Sequence, residues 1–166
     1  MTLSQRPVAL LALFVMVAAL GTAWGFQLIG GYVPCALCLE QRLGYYGAIP
    51  LTLAGLYLAG RSPGLARLAF VAAGLAMAWS AGLGVYHAGA EWGYWPGPES
   101  CGGGADVRDA SNLLAAIENT RLVSCTDAAG RFLGISFAGW NVVAAGLAAL
   151  LLAGAALRPG RAAMPR

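Results

Sequence analysis

The sequence predicts an all-α fold, a bundle of four transmembrane helices, on two observations. Hydrophobic residues make up 59% of the 166 residues and charged residues only 10%, whereas soluble domains have about 25% charged residues. Four apolar stretches of roughly 17–22 residues contain no ionised side chain, and each is long enough to cross a hydrocarbon core of about 30 Å. Lipid is therefore the expected solvent for most of the surface.

The four stretches are predicted as helices because backbone polar groups in lipid must form their hydrogen bonds within the segment. We place the helices at residues 8–29, 43–59, 68–86 and 137–157, in a single domain of residues 1–166. The second contains Pro50, which should kink it. The first is longer than the apolar part of a typical cleaved signal peptide, so we expect it to be kept.

The distribution of charge predicts the orientation of the bundle. Six arginines lie in segments that contain no acidic residue, namely the two ends of the chain and the connection between the second and third helices: Arg6, Arg61, Arg67, Arg158, Arg161 and Arg166. The segments 30–42 and 87–136 contain all seven acidic residues. The positive-inside rule then predicts that both termini are cytoplasmic and that the two acidic segments face outward. The arginines form no cluster among aromatic residues, which argues against nucleic-acid binding.

The second outward segment is predicted to contain a short helix at about residues 110–123. Leu113, Leu114 and Ile117 recur at helical spacing, with polar residues between them. An amphipathic helix on the membrane surface and an ordinary packed loop helix both fit this pattern.

All four cysteines lie in the outward segments. Cys35 and Cys38 form a Cys-x-x-Cys motif in the first, and Cys101 and Cys125 lie in the second. A bridge that closes so short a loop gains little from chain entropy, so it is a poor structural crosslink. It is a common redox arrangement, because one sulfur can attack a mixed disulfide formed at the other. Pro34 predicts that a helix begins here, and a helix N-terminus favours a thiolate.

Arg42 is the candidate cation of this site. On a helix, Cys35, Cys38 and Arg42 share one face, with Arg42 one turn beyond Cys38. Its guanidinium would stabilise a thiolate at Cys38 and any anion close by. The alternative is an arginine that only anchors the helix end at the membrane surface.

Cys101 and Cys125 are 24 positions apart, and a bridge between them could simply stabilise the loop, by about 3 kcal/mol. The three glycines after Cys101 favour a mobile, accessible segment suited to meeting another protein. A structural zinc site usually has two close cysteine pairs, or one pair with histidines. Here only one pair is close and His87 is the only histidine, so no metal is expected.

The run PCALCLEQR at residues 34–42, after a first membrane helix, resembles the bacterial disulfide bond formation protein B (DsbB) family. The resemblance extends over essentially the whole chain, with four helices and a second cysteine pair in the second outward loop. It implies a protein dithiol:quinone oxidoreductase of the bacterial inner membrane. Such a protein reoxidises a periplasmic DsbA-type thiol oxidase and passes the electrons to a membrane quinone, either ubiquinone or menaquinone.

The resemblance also implies residue roles. Cys101 would form a mixed disulfide with the DsbA-type partner, and Cys125 would be its bridge partner. Cys35 would attack the second bridge and carry electrons onward. Cys38 would face the quinone and deliver the electrons, and Arg42 matches the family's arginine near the quinone head group.

His87 follows the third predicted helix on the outward side, where we expect it to lie at the quinone head group. An imidazole there could supply protons near neutral pH. The alternative is an interfacial residue at a helix end. Trp140 and Asn141 are interpreted as interfacial and packing residues.

The alternative function is a non-enzymatic membrane scaffold with two structural disulfides. Replacing Cys38 with alanine separates the two, because only an oxidase should lose turnover. A conduit that moves electrons outward would need cysteines at the cytoplasmic face or in the membrane, and all four are outside. Relatives of vitamin K epoxide reductase carry their quinone-side Cys-x-x-Cys in a late helix, whereas this motif follows the first.

Overall fold

The structure is a computed structural model that describes residues 4–98 and 125–158. Within these residues the chain forms four long helices: α1 (Gln5–Leu28), α2 (Ala36–Leu58), α3 (Pro63–Glu91) and α4 (Phe137–Leu157). The predicted helical fold is therefore confirmed. The short helix predicted at about residues 110–123 lies outside the described residues.

α2 and α3 extend furthest beyond the predicted membrane segments. The sequence predicted both a helix that begins near Pro34 and a membrane segment from residue 43, and α2 is one continuous helix from Ala36. Cys35 caps this helix: its sulfur accepts a hydrogen bond from the Cys38 backbone N–H at 3.2 Å. α3 begins at Pro63 and continues to Glu91, so that His87 lies inside the helix rather than after it.

The prediction of a wholly helical chain omitted one small hairpin. Strands β1 (Arg131–Phe132) and β2 (Ile135–Ser136) are antiparallel, with Phe132 paired to Ile135. Leu133 and Gly134 form the two-residue turn, with φ of 53° and 81°, as in a type I′ turn. Strands of two residues are too short to show an alternating sequence pattern. The hairpin leads directly into α4.

The helices α1, α3 and α4 are long and apolar enough to cross a membrane. Their outer faces carry large apolar side chains, for example Phe14 at 70% exposure and Leu150 at 74%, which indicates a surface that faces lipid rather than water. The first turns of α2 contain Glu40 and Arg42. The crossing of the membrane by α2 and the orientation of the bundle remain predictions.

Small residues allow the helices to pack closely. α3 packs against both α2 and α4, and α1 packs against α4 and α2. The buried core is rich in alanine: Ala9, Ala12, Ala48, Ala66, Ala73, Ala145, Ala148 and Ala155. The remaining space is filled by four larger buried side chains: Phe70, Met16, Met77 and Leu152. In lipid the hydrophobic effect does not drive helices together, so the close packing of small residues is a common source of stability between membrane helices.

Candidate redox site

The Cys-x-x-Cys motif forms the N-terminal end of α2. Cys35 and Cys38 are both free thiols; Cys35 is buried and Cys38 half-buried. Their sulfur atoms lie 3.0 Å apart, close enough to share a proton when one of them is ionised. The structure therefore represents the reduced state of this pair.

The pKa of the Cys35 thiol is lowered well below its ordinary value. The hydrogen bond with the Cys38 side chain is the main cause; burial opposes it, and His87 and the Cys38 backbone N–H lower it further. Cys35 is therefore the thiolate of the pair at neutral pH, and the thiolate is the nucleophile in disulfide exchange. The stabilisation of a thiolate at Cys38 by Arg42, expected from the sequence, stays a prediction.

His87 lies directly behind the thiol pair. Its Nε2 atom is 3.7 Å from the Cys35 sulfur and 3.7 Å from Oε1 of Glu91. The Gln41 amide nitrogen lies 2.9 Å from His87 Nδ1 and donates to it, so the ring proton resides on Nε2, facing the thiolate. The side chains of His87 and Glu91 are only 4% and 3% exposed.

Sequence reasoning missed Gln41 and Glu91. Gln41 is buried in α2 and bonds to a histidine 46 positions away, a contact that only the packing of α2 on α3 creates. The signal for Glu91 was present: it follows His87 by four positions, and residues at that spacing share a helix face. It was not read because the helix was expected to end before both residues.

Cys125 lies where the second of the two segments predicted to face outward packs against the first. It is disulfide-bonded and fully buried, and it packs in one cluster with Cys35 and Leu37. Cys101, its predicted bridge partner, lies outside the described residues. One cysteine of the second pair thus lies in the same buried cluster as Cys35.

A cavity of about 460 Å³ opens on the other side of Cys38, between α1, α2, α4 and the hairpin. Its walls are mostly apolar and aromatic: Phe26, Tyr32, Phe132, Phe137 and Trp140. The polar side chains that line it include Cys38, Gln41, Arg42 and Asn141. Ala129 also lines it, next to Gly130, where an added Cβ would lie 2.7 Å from the Phe137 ring. His87 is not among the lining residues, so its predicted contact with a quinone head group stays a prediction.

Arg42 is held at the wall of this cavity by α1. Its Nη1 donates to Gln27 Oε1 at 2.6 Å and its Nη2 to the Ala23 carbonyl at 3.4 Å. The guanidinium also lies over the Trp24 ring, 5.6 Å from the ring centroid, a favourable cation–π position. An arginine that only anchored a helix end would not need partners on a neighbouring helix.

A buried chain of hydrogen bonds connects the cavity wall to the motif. The Tyr45 hydroxyl donates to Asn141 Oδ1 at 2.7 Å, and the Asn141 amide donates to the Ser80 carbonyl at 3.1 Å. The Ser80 hydroxyl in turn donates to the Gln41 carbonyl at 2.8 Å. Asn141 is therefore more than the packing residue expected from the sequence, because it joins α4 to α2 and α3.

Comparison with known proteins identifies the family of the chain. Neither the curated proteins nor the solved structures compared with the chain gave a match. The family described as "Disulfide bond formation protein DsbB" matches residues 5–155, which include all four cysteines and every helix of the bundle except the last two residues of α4. The chain therefore belongs to the DsbB family of disulfide-generating membrane oxidoreductases.

Proposed function

We propose that this oxidoreductase reoxidises a periplasmic DsbA-type thiol oxidase and passes the electrons to a membrane quinone. The observation that carries the proposal is the position of Cys35: its sulfur contacts Cys38 and His87, and it packs against the disulfide-bonded Cys125. The two cysteine pairs are thus adjacent, as a relay requires, whereas two structural crosslinks would have no reason to meet.

Exchange between the pairs follows from ordinary thiol–disulfide chemistry. The reduced partner leaves Cys101 and Cys125 as thiols. A Cys125 thiolate then attacks the Cys35–Cys38 bridge at Cys35, which forms a mixed disulfide between Cys35 and Cys125 and releases the Cys38 thiolate beside the cavity. By our assignment Cys101 then attacks Cys125, which forms the second bridge again and releases Cys35. No atoms are gained or lost apart from the thiol protons, and two electrons move from the second pair to the first.

His87 is positioned to stabilise a thiolate during this exchange. Its Nε2–H faces the Cys35 sulfur at 3.7 Å, so the imidazole can hydrogen-bond the Cys35 thiolate that is released when the mixed disulfide is resolved. Gln41 fixes the ring orientation through Nδ1. The residues at the back of the pair are buried, which excludes water and limits side reactions at the sulfur.

The cavity next to Cys38 suits a quinone head group. It combines aromatic walls with a few convergent polar groups, which is the usual character of a small-molecule site. We propose that Arg42 and Cys38 hold the ring, with Asn141 and Gln41 as further polar contacts. When bound, a quinone would supply an acceptor for two electrons and two protons. DsbA-type oxidases are strong oxidants, so their reoxidation needs an acceptor of higher potential than an ordinary dithiol.

The test is quinone reduction by the purified protein in detergent, supplied with reduced DsbA-type partner. The native chain should reduce ubiquinone or menaquinone, and Cys38→Ala should reduce neither. Leu39→Ala is the matched control, because Leu39 neighbours Cys38 on the same helix and is exposed. If the native protein reduces no quinone while its cysteines remain bridged, the oxidase proposal is wrong and the scaffold is the better account.

A further inference from the structure

The two thiols and His87 form a cluster of atoms that can bind a metal ion. The sulfurs of Cys35 and Cys38 and a ring nitrogen of His87 all lie within 4.8 Å of one another. We propose that the reduced pair and His87 bind a thiophilic divalent cation such as Zn²⁺, with Glu91 as the fourth ligand. From the sequence we expected no metal, because only one cysteine pair is close and His87 is the only histidine; the packing of α3 on α2 brings His87 to Cys35 across 52 positions.

The distances among the two sulfurs and His87 fit three positions of a tetrahedral site after small shifts, and Glu91 would have to turn from its place beside His87 to supply the fourth. Two sulfurs held about 2.3 Å from zinc at the tetrahedral angle are about 3.8 Å apart, and a sulfur and a nitrogen about 3.5 Å apart. The Cys35 sulfur is already 3.7 Å from His87 Nε2. The two sulfurs, now 3.0 Å apart, would need to separate by less than an ångström. Rotation of one side chain supplies that movement.

Glu91 gives an independent indication that a cation belongs here. Its Oε2 atom is buried and has no hydrogen-bond partner among the described residues, while Oε1 lies 3.7 Å from His87 Nε2. Glu91 is also the last residue of α3, where the partial negative charge of the helix end disfavours a carboxylate. A buried carboxylate in that position calls for positive charge, and a cation shared with His87 would provide it.

Gln41 can adapt to the bound state. Metal binding needs the Nε2 lone pair, so the ring proton must move to Nδ1. Rotation of the Gln41 amide would then present its oxygen to Nδ1–H at the same 2.9 Å separation. A second hydrogen-bonding group behind a histidine ligand is the usual arrangement in metal sites.

Binding at this site is linked to the redox state of the pair. The cation replaces the remaining thiol protons, which go to solvent, and no electron is transferred. A Cys35–Cys38 disulfide has no thiolate to offer, so only the reduced form binds. Zn²⁺ would therefore hold the pair in its reduced state and stop turnover. Cys38 lines the cavity, which gives the cation a path to the site.

The test uses Cd²⁺ as the probe and needs neither quinone nor partner, so its outcome is separate from that of the proposed oxidase activity. The full chain carrying Cys101→Ser and Cys125→Ser, purified in detergent and reduced, should bind one Cd²⁺ with cadmium–thiolate absorption in the ultraviolet. Oxidation of the remaining pair should abolish the signal. In the native chain, Zn²⁺ should protect Cys35 and Cys38 from alkylation, as located by mass spectrometry.

Two variants decide which ligands take part. His87→Ala and Glu91→Gln should each weaken Cd²⁺ binding by about 10- to 100-fold or more. Glu40→Gln is the matched control, because this exposed carboxylate lies on the same helix as the motif and should leave the affinity unchanged. Equal affinity in the native chain and His87→Ala would show that two thiols alone bind the metal and would overturn the proposal, as would the absence of binding.

Discussion

At the residue scale, the most informative contact outside the thiols is that of Arg42 with α1. Its guanidinium is fixed by Gln27, the Ala23 carbonyl and the Trp24 ring, so its position at the cavity wall is set before any ligand arrives. A preorganised cation loses little entropy on binding a partially charged oxygen. This is the property expected of a residue that stabilises a ring as it gains electrons.

We predict that Arg42→Gln raises the KM for quinone by about tenfold or more, because a hydrogen bond to a charged group contributes about 1.5–3 kcal/mol. Disulfide exchange with the partner should be unaffected. Arg61→Gln is the matched control, since Arg61 also stacks on a ring, that of Tyr57, but lies in the connection between α2 and α3. Steady-state quinone reduction gives both values; an unchanged KM for Arg42→Gln would contradict the assignment.

The residues of the site differ in how far the sequence could identify them. Cys35 and Cys38 were identified by the Cys-x-x-Cys motif and Arg42 by its helical spacing from them, because these relations are local in the sequence. The contacts of His87 with Cys35 and Gln41 depend on how α2 packs against α3. No pattern within one helix encodes that distance, so the cluster appears only in three dimensions.

A close approach of two helices allows a second residue-scale prediction. A Cβ added at Gly44 would lie 2.7 Å from the Ser80 Cβ and 2.8 Å from the Ala76 carbonyl oxygen. Gly44→Ala should therefore lower the free energy of unfolding in mixed micelles by about 1–3 kcal/mol. Gly47→Ala in the same helix meets nothing within 4 Å and should be neutral or slightly stabilising. Similar losses for both variants would mean that the helices are not in contact at Gly44.

At the scale of elements, side-chain caps explain where α2 and α4 begin. α2 begins at Ala36 because the Cys35 sulfur serves as an N-cap, an unusual use of a residue that also belongs to the candidate redox pair. The hydroxyl of Ser136 plays the same part for α4, accepting from the Gly139 N–H at 3.2 Å. α4 spans the same residues as its predicted helix because its apolar run lies between this serine and Arg158.

The Ser136 cap can be tested against a nearly identical residue. Ser136→Ala should cost about 1 kcal/mol of unfolding free energy, because the Gly139 N–H loses its acceptor. Ser4 precedes α1 with nearly the same backbone angles but makes no capping hydrogen bond, so Ser4→Ala should have no effect. Denaturant unfolding in micelles measures both; equal effects would show that the cap does not contribute.

The predicted membrane segments were shorter than α2 and α3 for one reason. The first turns of α2 carry Cys38 and Gln41, the last turns of α3 carry His87 and Glu91, and polar residues at the end of an apolar stretch ordinarily predict a loop. For α2, Pro34 had indicated the earlier helix start. The polar side chains of the two helices contact each other, so both helices continue through the site. The hairpin at Arg131–Ser136 was missed for a different reason, since its pairing involves two residues on each strand.

At the scale of the whole molecule, the charge distribution predicts an orientation that the fold can accommodate. We expect a reporter enzyme that is active only outside the cytoplasm to be active when fused after Pro98, and inactive when fused after Arg61 or Leu157. The reason is the positive-inside rule applied to the arginines of the connecting segments. An active fusion after Arg61 would show that α2 does not cross the membrane, or that the bundle is inverted.

The segment from Cys125 to Phe137 contributes both to the cluster around Cys35 and to the wall of the cavity. Its first residue packs against Cys35, and Ala129 and Phe132 form part of the cavity wall. Gly130 lies so close to the Phe137 ring that an added Cβ would be 2.7 Å from it, so the backbone here packs directly on that wall. We therefore expect a partner that pulls Cys125 away from the motif to deform the cavity, and a molecule that fills the cavity to resist the pull. The two ends of the proposed relay would then be coupled mechanically through this segment as well as by the electrons they exchange.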